Sequence, residues 1–126
     1  QLKKPHAMVG VNVIAAETDD EARRLFTSQQ QAFTNMVRNR RGLFPAPIAD
    51  IDSYWTPAEK HHAQGMLACA IVGSVDTVRA GLRRFVDETQ ADELMIVSAV
   101  FDPALRQRSL ALIAEAAQLQ PAPAVP

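Results

Sequence analysis

Apolar side chains fill residues 6–16 (HAMVGVNVIAA) in a pattern that alternates by face. Val9, Val11, Val13 and Ala15 fall on one side of an extended chain, and Met8, Gly10, Asn12 and Ile14 on the other, which predicts a first strand. Directly after it Thr18 and Glu21 stand at capping-box spacing. Ala22, Leu25, Phe26, Gln29, Phe33, Met36 and Val37 then follow at helical intervals, so a helix is expected to about Val37. Further on, Gly73 and Ser74 mark a turn and an N-cap. The Ser74 hydroxyl is expected to accept from first-turn N–H groups, with Asp76 near the positive end of the dipole. Val78, Leu82, Phe85 and Val86 form one apolar helical face. Past the polar break at 87–92, Leu94, Met95, Ile96 and Val97 make a run too short for a helix and without a polar side chain, which predicts a strand buried on both faces. A helix feeding such a strand is half of a βαβ unit and places the chain in the α/β class. Asp102 and Pro103 open a last helix with Leu105, Ser109, Leu112, Ile113 and Ala116 on its stripe and Leu110 off it.

Between these units the pattern breaks. Pro45 and Pro47 block a helix and Asp50, Asp52 and Ser53 favour turns, yet Leu43, Phe44, Ile48, Ile51, Tyr54 and Trp55 are too apolar for a free linker. Residues 42–60 are therefore expected to pack over a surface as a lid or binding loop. Thr56, Pro57 and Glu59 signal a short helix. His61 and His62 are adjacent, diverge by about 100° on a helix and read as surface residues. Asp50 and Asp52 lack a third ligand at a recognisable spacing, so no metal site is expected.

Composition narrows the class. The chain has 126 residues, room for one domain, and 13 basic against 14 acidic side chains, so charge singles out neither nucleic acid nor an anionic membrane as a partner. Arg38, Arg40 and Arg41 close the first long helix and read as a solvated helix end. Cys69 is the single cysteine and sits in the apolar run 66–72, so a buried structural thiol and a reducing, cytoplasmic setting are expected. No run is long enough to span a membrane. The opening Gln1-Leu2-Lys3-Lys4 fits a piece of a longer protein or a processed product, and residues 120–126 (QPAPAVP) are expected to be an extended tail. Asn12 stands out as a polar amide in an apolar strand. It either faces a ligand or is a hydrogen-bonded core amide, and the second reading is favoured on general grounds.

Four stretches carry a resemblance: MVGVNVIAAETDDEARRLFTSQQQAF, WTPAEK, MLACAIVGSVDTVRAGL and TQADELMIVSAVFDPALRQRSLALIAE. In order and wording they resemble the C-terminal part of the bacterial luciferase-like, flavin-dependent monooxygenases. The resemblance implies that residues 1–119 are the C-terminal fragment of a TIM (β/α)8 barrel, its last two strand-helix units, with residues 8–16 as strand seven and 93–100 as strand eight. It also implies reduced flavin mononucleotide (FMN) as cofactor, oxygen as oxidant and a small organic substrate, with a mobile active-site loop at 42–60. The family's histidine and flavin phosphate contacts lie upstream of this sequence, so no catalytic residue carries over. Close relatives show Tyr-Asp-His where this chain has Phe101-Asp102-Pro103. Asn12, Trp55 and Ser98 are the candidates for lining a site. The chain alone is expected to bind no flavin and to self-associate into a homo-oligomer through its strand edges. The alternative is a non-catalytic self-associating interaction module derived from a truncated barrel.

Overall fold

A computed structural model of the chain describes residues 8–40 and 42–117. Strand β1 (Met8–Ala15) leads into α1 (Asp19–Val37), then a short 3-10 turn (Ile51–Ser53) and α2 (Pro57–Met66). Strand β2 (Ile71–Gly73), α3 (Val75–Thr89), β3 (Glu93–Val97) and α4 (Pro103–Ala116) follow. The three strands form one parallel sheet in the order β2-β1-β3, so α3 crosses β1 on its way from β2 to β3. Register sets Gly10 opposite Met95 and Asn12 opposite Val97 on one side of β1, and Val13 opposite Ile71 on the other. Residues 6 and 7 of the expected first strand, Arg41 and the expected tail lie outside the described residues.

The two faces of the sheet differ in cover. Val11, Val13 and Ala15 of β1 pack with Ile71 under Val78 and Leu82 of α3 and Leu112, Ile113 and Ala116 of α4. Each fully buried side chain of this kind stabilises by about 1.5–3 kcal/mol, and Val13 and Val78 have no exposed surface. Helix α3 comes close to the sheet because of a glycine: a Cβ on Gly81 would stand 2.7 Å from Ile71 Cγ2. On the opposite face only the C-terminal end is covered, where Ile14 and Ala16 meet Ala22 and Leu25 of α1 together with Val100. The rest of that face is bare.

Several expectations need correction. Strand β3 is partly buried on one face and exposed on the other, not buried on both: Leu94 and Ile96 pack half-buried against the helix-covered core, while Met95 is 57% and Val97 49% exposed. An unbroken apolar run cannot distinguish these cases, because it says what each face is made of and not what covers it. The sheet has a third strand, β2, hidden inside an apolar run as only three residues. Cys69 is exposed, in the turn between α2 and β2. Ser74 is the N-cap of α3, but its side chain makes no capping hydrogen bond. On α1, Met36 and Val37 are exposed, whereas Thr27, Ser28, Gln31 and Thr34 are buried. Arg38 is not a solvated helix end: its guanidinium is paired with Glu59. The helix ends there with Asn39 in the left-handed region (φ 57°), a conformation asparagine tolerates.

Candidate functional site

Met8, Gly10 and Asn12 of β1 and Met95 and Val97 of β3 share the bare face, as alternation along paired parallel strands requires. Met8 is 56% exposed, comparable to Met95, so the face presents two thioethers and a valine around the Asn12 amide. Asn12 is half-buried, and its side chain has no hydrogen-bond partner among the described residues. This surface can form an apolar wall with one donor-acceptor group set in it.

At the C-terminal ends of β1 and β2 the turns are locked by charge. Asp19 Oδ1 accepts from the Ser74 N–H at 2.7 Å and from the Thr77 hydroxyl at 2.8 Å, so the carboxylate of α1 caps α3. These bonds, the Ser74 N–H first, hold the Asp19 carboxyl below its usual range. The approach is close enough to exclude a side chain at Gly73, where a Cβ would lie 2.5 Å from Thr77 Cγ2 and 2.7 Å from Asp19 Oδ1. The N-terminus of α3, a natural anion-binding position, is thus already occupied by the protein's own carboxylate. Beside it Glu17 Oε1 accepts from Arg108 Nε at 2.7 Å, joining the turn after β1 to α4, and Arg108 lowers the Glu17 pKa.

The other two candidate residues lie elsewhere. Ser98 is buried under α4, its hydroxyl 2.9 Å from that of Ser109, and Ser109 Oγ accepts the Ala15 N–H at 2.9 Å. Trp55 is buried beside the start of α2, its indole N–H donating to Asp52 at 3.0 Å. Asn12, Trp55 and Ser98 are therefore in three separate surroundings. Asp52 also pairs with Lys60 at 3.2 Å, and the Asp50 carboxylate accepts from the Asp52 N–H, so both acids are engaged in the turn. No group of three or more metal-ligating side chains occurs among the described residues.

The segment after α1 is fastened along its length, a feature that sequence reasoning missed. Thr27 Oγ1 accepts the Ile48 N–H at 3.0 Å, and Gln31 Nε2 donates to the Ala46 carbonyl at 2.9 Å. The Tyr54 hydroxyl donates to Asn35, and Arg38 donates to the Tyr54 carbonyl at 2.8 Å. Two of the buried polar side chains of α1, Thr27 and Gln31, bond to this segment, whereas the Thr34 hydroxyl donates to the Gln30 carbonyl within the helix and the Ser28 hydroxyl has no partner among the described residues. A groove of about 780 Å³ remains between α1 and the 49–52 turn, lined by Arg23, Arg24, Phe26, Asp52 and Val72 among others.

No family model matches the sequence. A "luciferase-like monooxygenase" of Escherichia coli (strain K12) is 42% identical over 112 residues, covering 89% of this chain and 33% of the relative. The uncharacterized protein YvbT of Bacillus subtilis (strain 168) is 43% identical over 114 residues, covering 90% and 34%. The chain thus spans about a third of the length of the curated relatives it matches. Among solved structures, the crystal structure of apo-MsnO8 matches with a TM-score of 0.76 and 31% identity, over 93% of this chain and 36% of that one. No helix among the described residues is long and apolar enough to cross a membrane.

Proposed function

Homologous in sequence and structure to the bacterial luciferase-like flavin monooxygenases over most of its length, this chain is, we propose, the C-terminal segment of such an enzyme. It acts together with an upstream segment that supplies the remaining strands of a (β/α)8 barrel, a fold of roughly 250 residues. A three-stranded parallel sheet with helices is a partial α/β fold consistent with that role. The observation that carries the reading is the bare face. In a barrel, helices cover the outside of the sheet, as α3 and α4 do here, and the inside is closed by the other strands. Met8, Asn12, Met95 and Val97 are the residues left facing that interior.

Reduced FMN, when bound, would give two electrons to oxygen, so that one oxygen atom could pass to a small organic substrate and the other leave as water. The residues present fit the ring or substrate part of such a site and not its phosphate. Met95 and Val97 exclude water, Asn12 offers a donor and an acceptor, and the α3 N-terminus is filled by Asp19. Residues 42–56, strapped to α1, stand after β1 as a lid over the strand ends in this reading.

The test joins this chain to the upstream two thirds of the Escherichia coli relative and compares it with the chain alone. FMN binding is followed by fluorescence, and turnover by reduced-flavin-dependent oxygen uptake. Binding only by the completed protein supports the proposal. Saturable binding with turnover by the chain alone would mean a whole site lies within it, and no binding on completion removes the monooxygenase reading. The second reading, a self-associating module without chemistry, is favoured by the same exposed methionines and by the open edges of β2 and β3. An in-frame upstream coding sequence with the missing strands decides against it.

A further inference from the structure

Within β1, Gly10 and Asn12 lie two residues apart on the bare face, and nothing in the described residues requires either. Glycine in a strand costs backbone entropy and is kept where the backbone bends or something approaches it closely. Gly10 has no positive φ, and a Cβ built there would meet only the Met95 carbonyl oxygen at an ordinary 3.9 Å. The described residues therefore leave the gap unfilled. Asn12 has the complementary peculiarity. Its amide is half-buried between apolar neighbours, opposite Val97, with no partner among the described residues. Once the face is enclosed, an unmet amide is costly unless a ligand or a neighbouring group meets it.

Resting on the barrel reading above, we infer that Gly10 and Asn12 form a ligand-recognition position, the glycine admitting a flat group against the strand and the asparagine reading its edge. A primary amide presents one acceptor and two donors side by side. Its best match is a planar, uncharged group with an adjoining carbonyl and N–H, as in an imide, lactam or carboxamide. The thioethers and the valine around it suit such a group better than an ion. Two molecules can bring this chemistry to the site, the pyrimidine edge of the flavin or a carbonyl-bearing substrate.

The experiment uses Asn12→Leu, which keeps the branched shape and removes the amide, and Gly10→Val, which fills the gap, in the completed protein and in the chain alone. In the completed protein each is expected to weaken ligand binding at least tenfold. A rise in the FMN dissociation constant assigns the position to the flavin edge. A rise in substrate KM, with FMN binding unchanged, assigns it to the substrate. In the chain alone both variants are expected to melt at or above the wild-type temperature, because each replaces an unfavourable strand residue by a favourable one. A lower melting temperature for Asn12→Leu would make the amide structural and overturn the inference. Variants that match a flavin-binding wild type in both constants overturn it alone. A completed wild type that binds no flavin overturns the enzyme reading and this inference with it.

Discussion

Arg38 and Glu59 meet across 21 residues in a two-point contact, Nε to Oε2 at 2.7 Å and Nη2 to Oε1 at 2.8 Å. The same guanidinium donates to the Tyr54 carbonyl and lies 4.9 Å from the centre of the Tyr54 ring. Glu59 Oε1 also accepts the Thr56 N–H at 2.8 Å, completing a reciprocal capping box with the Thr56 hydroxyl. One carboxylate thus starts α2 and fastens it to the end of α1. The 42–56 segment is held between two fixed helices.

This arrangement predicts a pH dependence. Hydrogen bonding from Arg38, followed by that from the Thr56 N–H, lowers the Glu59 pKa from 4.5 to about 2. A carboxylate with a depressed folded pKa stabilises fully above its unfolded value, and the contribution disappears as pH falls through the folded one. Glu59 should therefore stabilise at neutral pH and cease to do so between about pH 4.5 and about pH 2. Thermal melts across that range should fall more steeply for the wild type than for Glu59→Gln, with the two curves converging at the acid end. Asp19 and Glu17, also depressed, act alike in both proteins and cancel in the difference. Parallel curves would deny the link.

Amide exchange and proteolysis should divide the same segment. Leu43 is 96% exposed, and a Cβ on Gly42 would meet open space, whereas the Ile48 N–H donates to Thr27 Oγ1. Cleavage of the native protein is expected around Arg40 and Leu43, with the Ile48 amide exchanging more slowly than that of Leu43. Thr27→Val should extend cleavage into 46–52. Uniformly fast exchange from 42 to 56 in the wild type would mean a lid that is free throughout.

Two serines make a sharper stability test. Ser109 Oγ is the acceptor for the buried Ala15 N–H, and among the described residues the Ser98 hydroxyl bonds only to Ser109. Ser109→Ala leaves a backbone N–H of the central strand unmet and should cost about 1–3 kcal/mol. Ser98→Ala leaves the Ser109–Ala15 bond in place and should cost about 0.5–1.5 kcal/mol. Denaturant melts giving the reverse order would show that Ser98, and not Ser109, carries the tie.

What was legible in the sequence was local. Thr56 and Glu59 announce a capping box because both partners lie within one turn, and the structure shows it complete. Ser74 marks the start of α3, but its expected hydroxyl cap is replaced by a carboxylate 55 residues away, and no pattern around Ser74 contains that fact. The same limit hid β2, whose three residues become a strand only by pairing with β1, and the burial of Thr27 and Gln31 on α1, which bond to the segment after the helix. For the site, Asn12 was visible as an amide in an apolar strand, and its face followed from alternation. That Ser98 sits under α4 depends on packing that periodicity does not encode, whereas Trp55 lies beside α2 because it directly precedes the Thr56 cap.

Self-association is the last expectation, and it follows from what the sheet leaves open. Among the described residues, no strand pairs with the outer edge of β2 or of β3, and Met95 and Val97 lie exposed on β3. Open edges next to an apolar surface pair with whatever strand is available, and for the chain alone at micromolar concentration that is a second copy. Sedimentation velocity should then show a dimer or larger species, with Met95→Lys and Val97→Lys shifting it toward monomer. A competing patch exists at Met36, Val37 and Leu43, where exposures reach 60%, 49% and 96%. Val37→Lys and Leu43→Lys are therefore the controls, and they should leave the association unchanged. The upstream segment should abolish it by taking the same edge and face. A folded wild-type monomer would refute the expectation, and loss of association only in the control variants would move the contact to the end of α1.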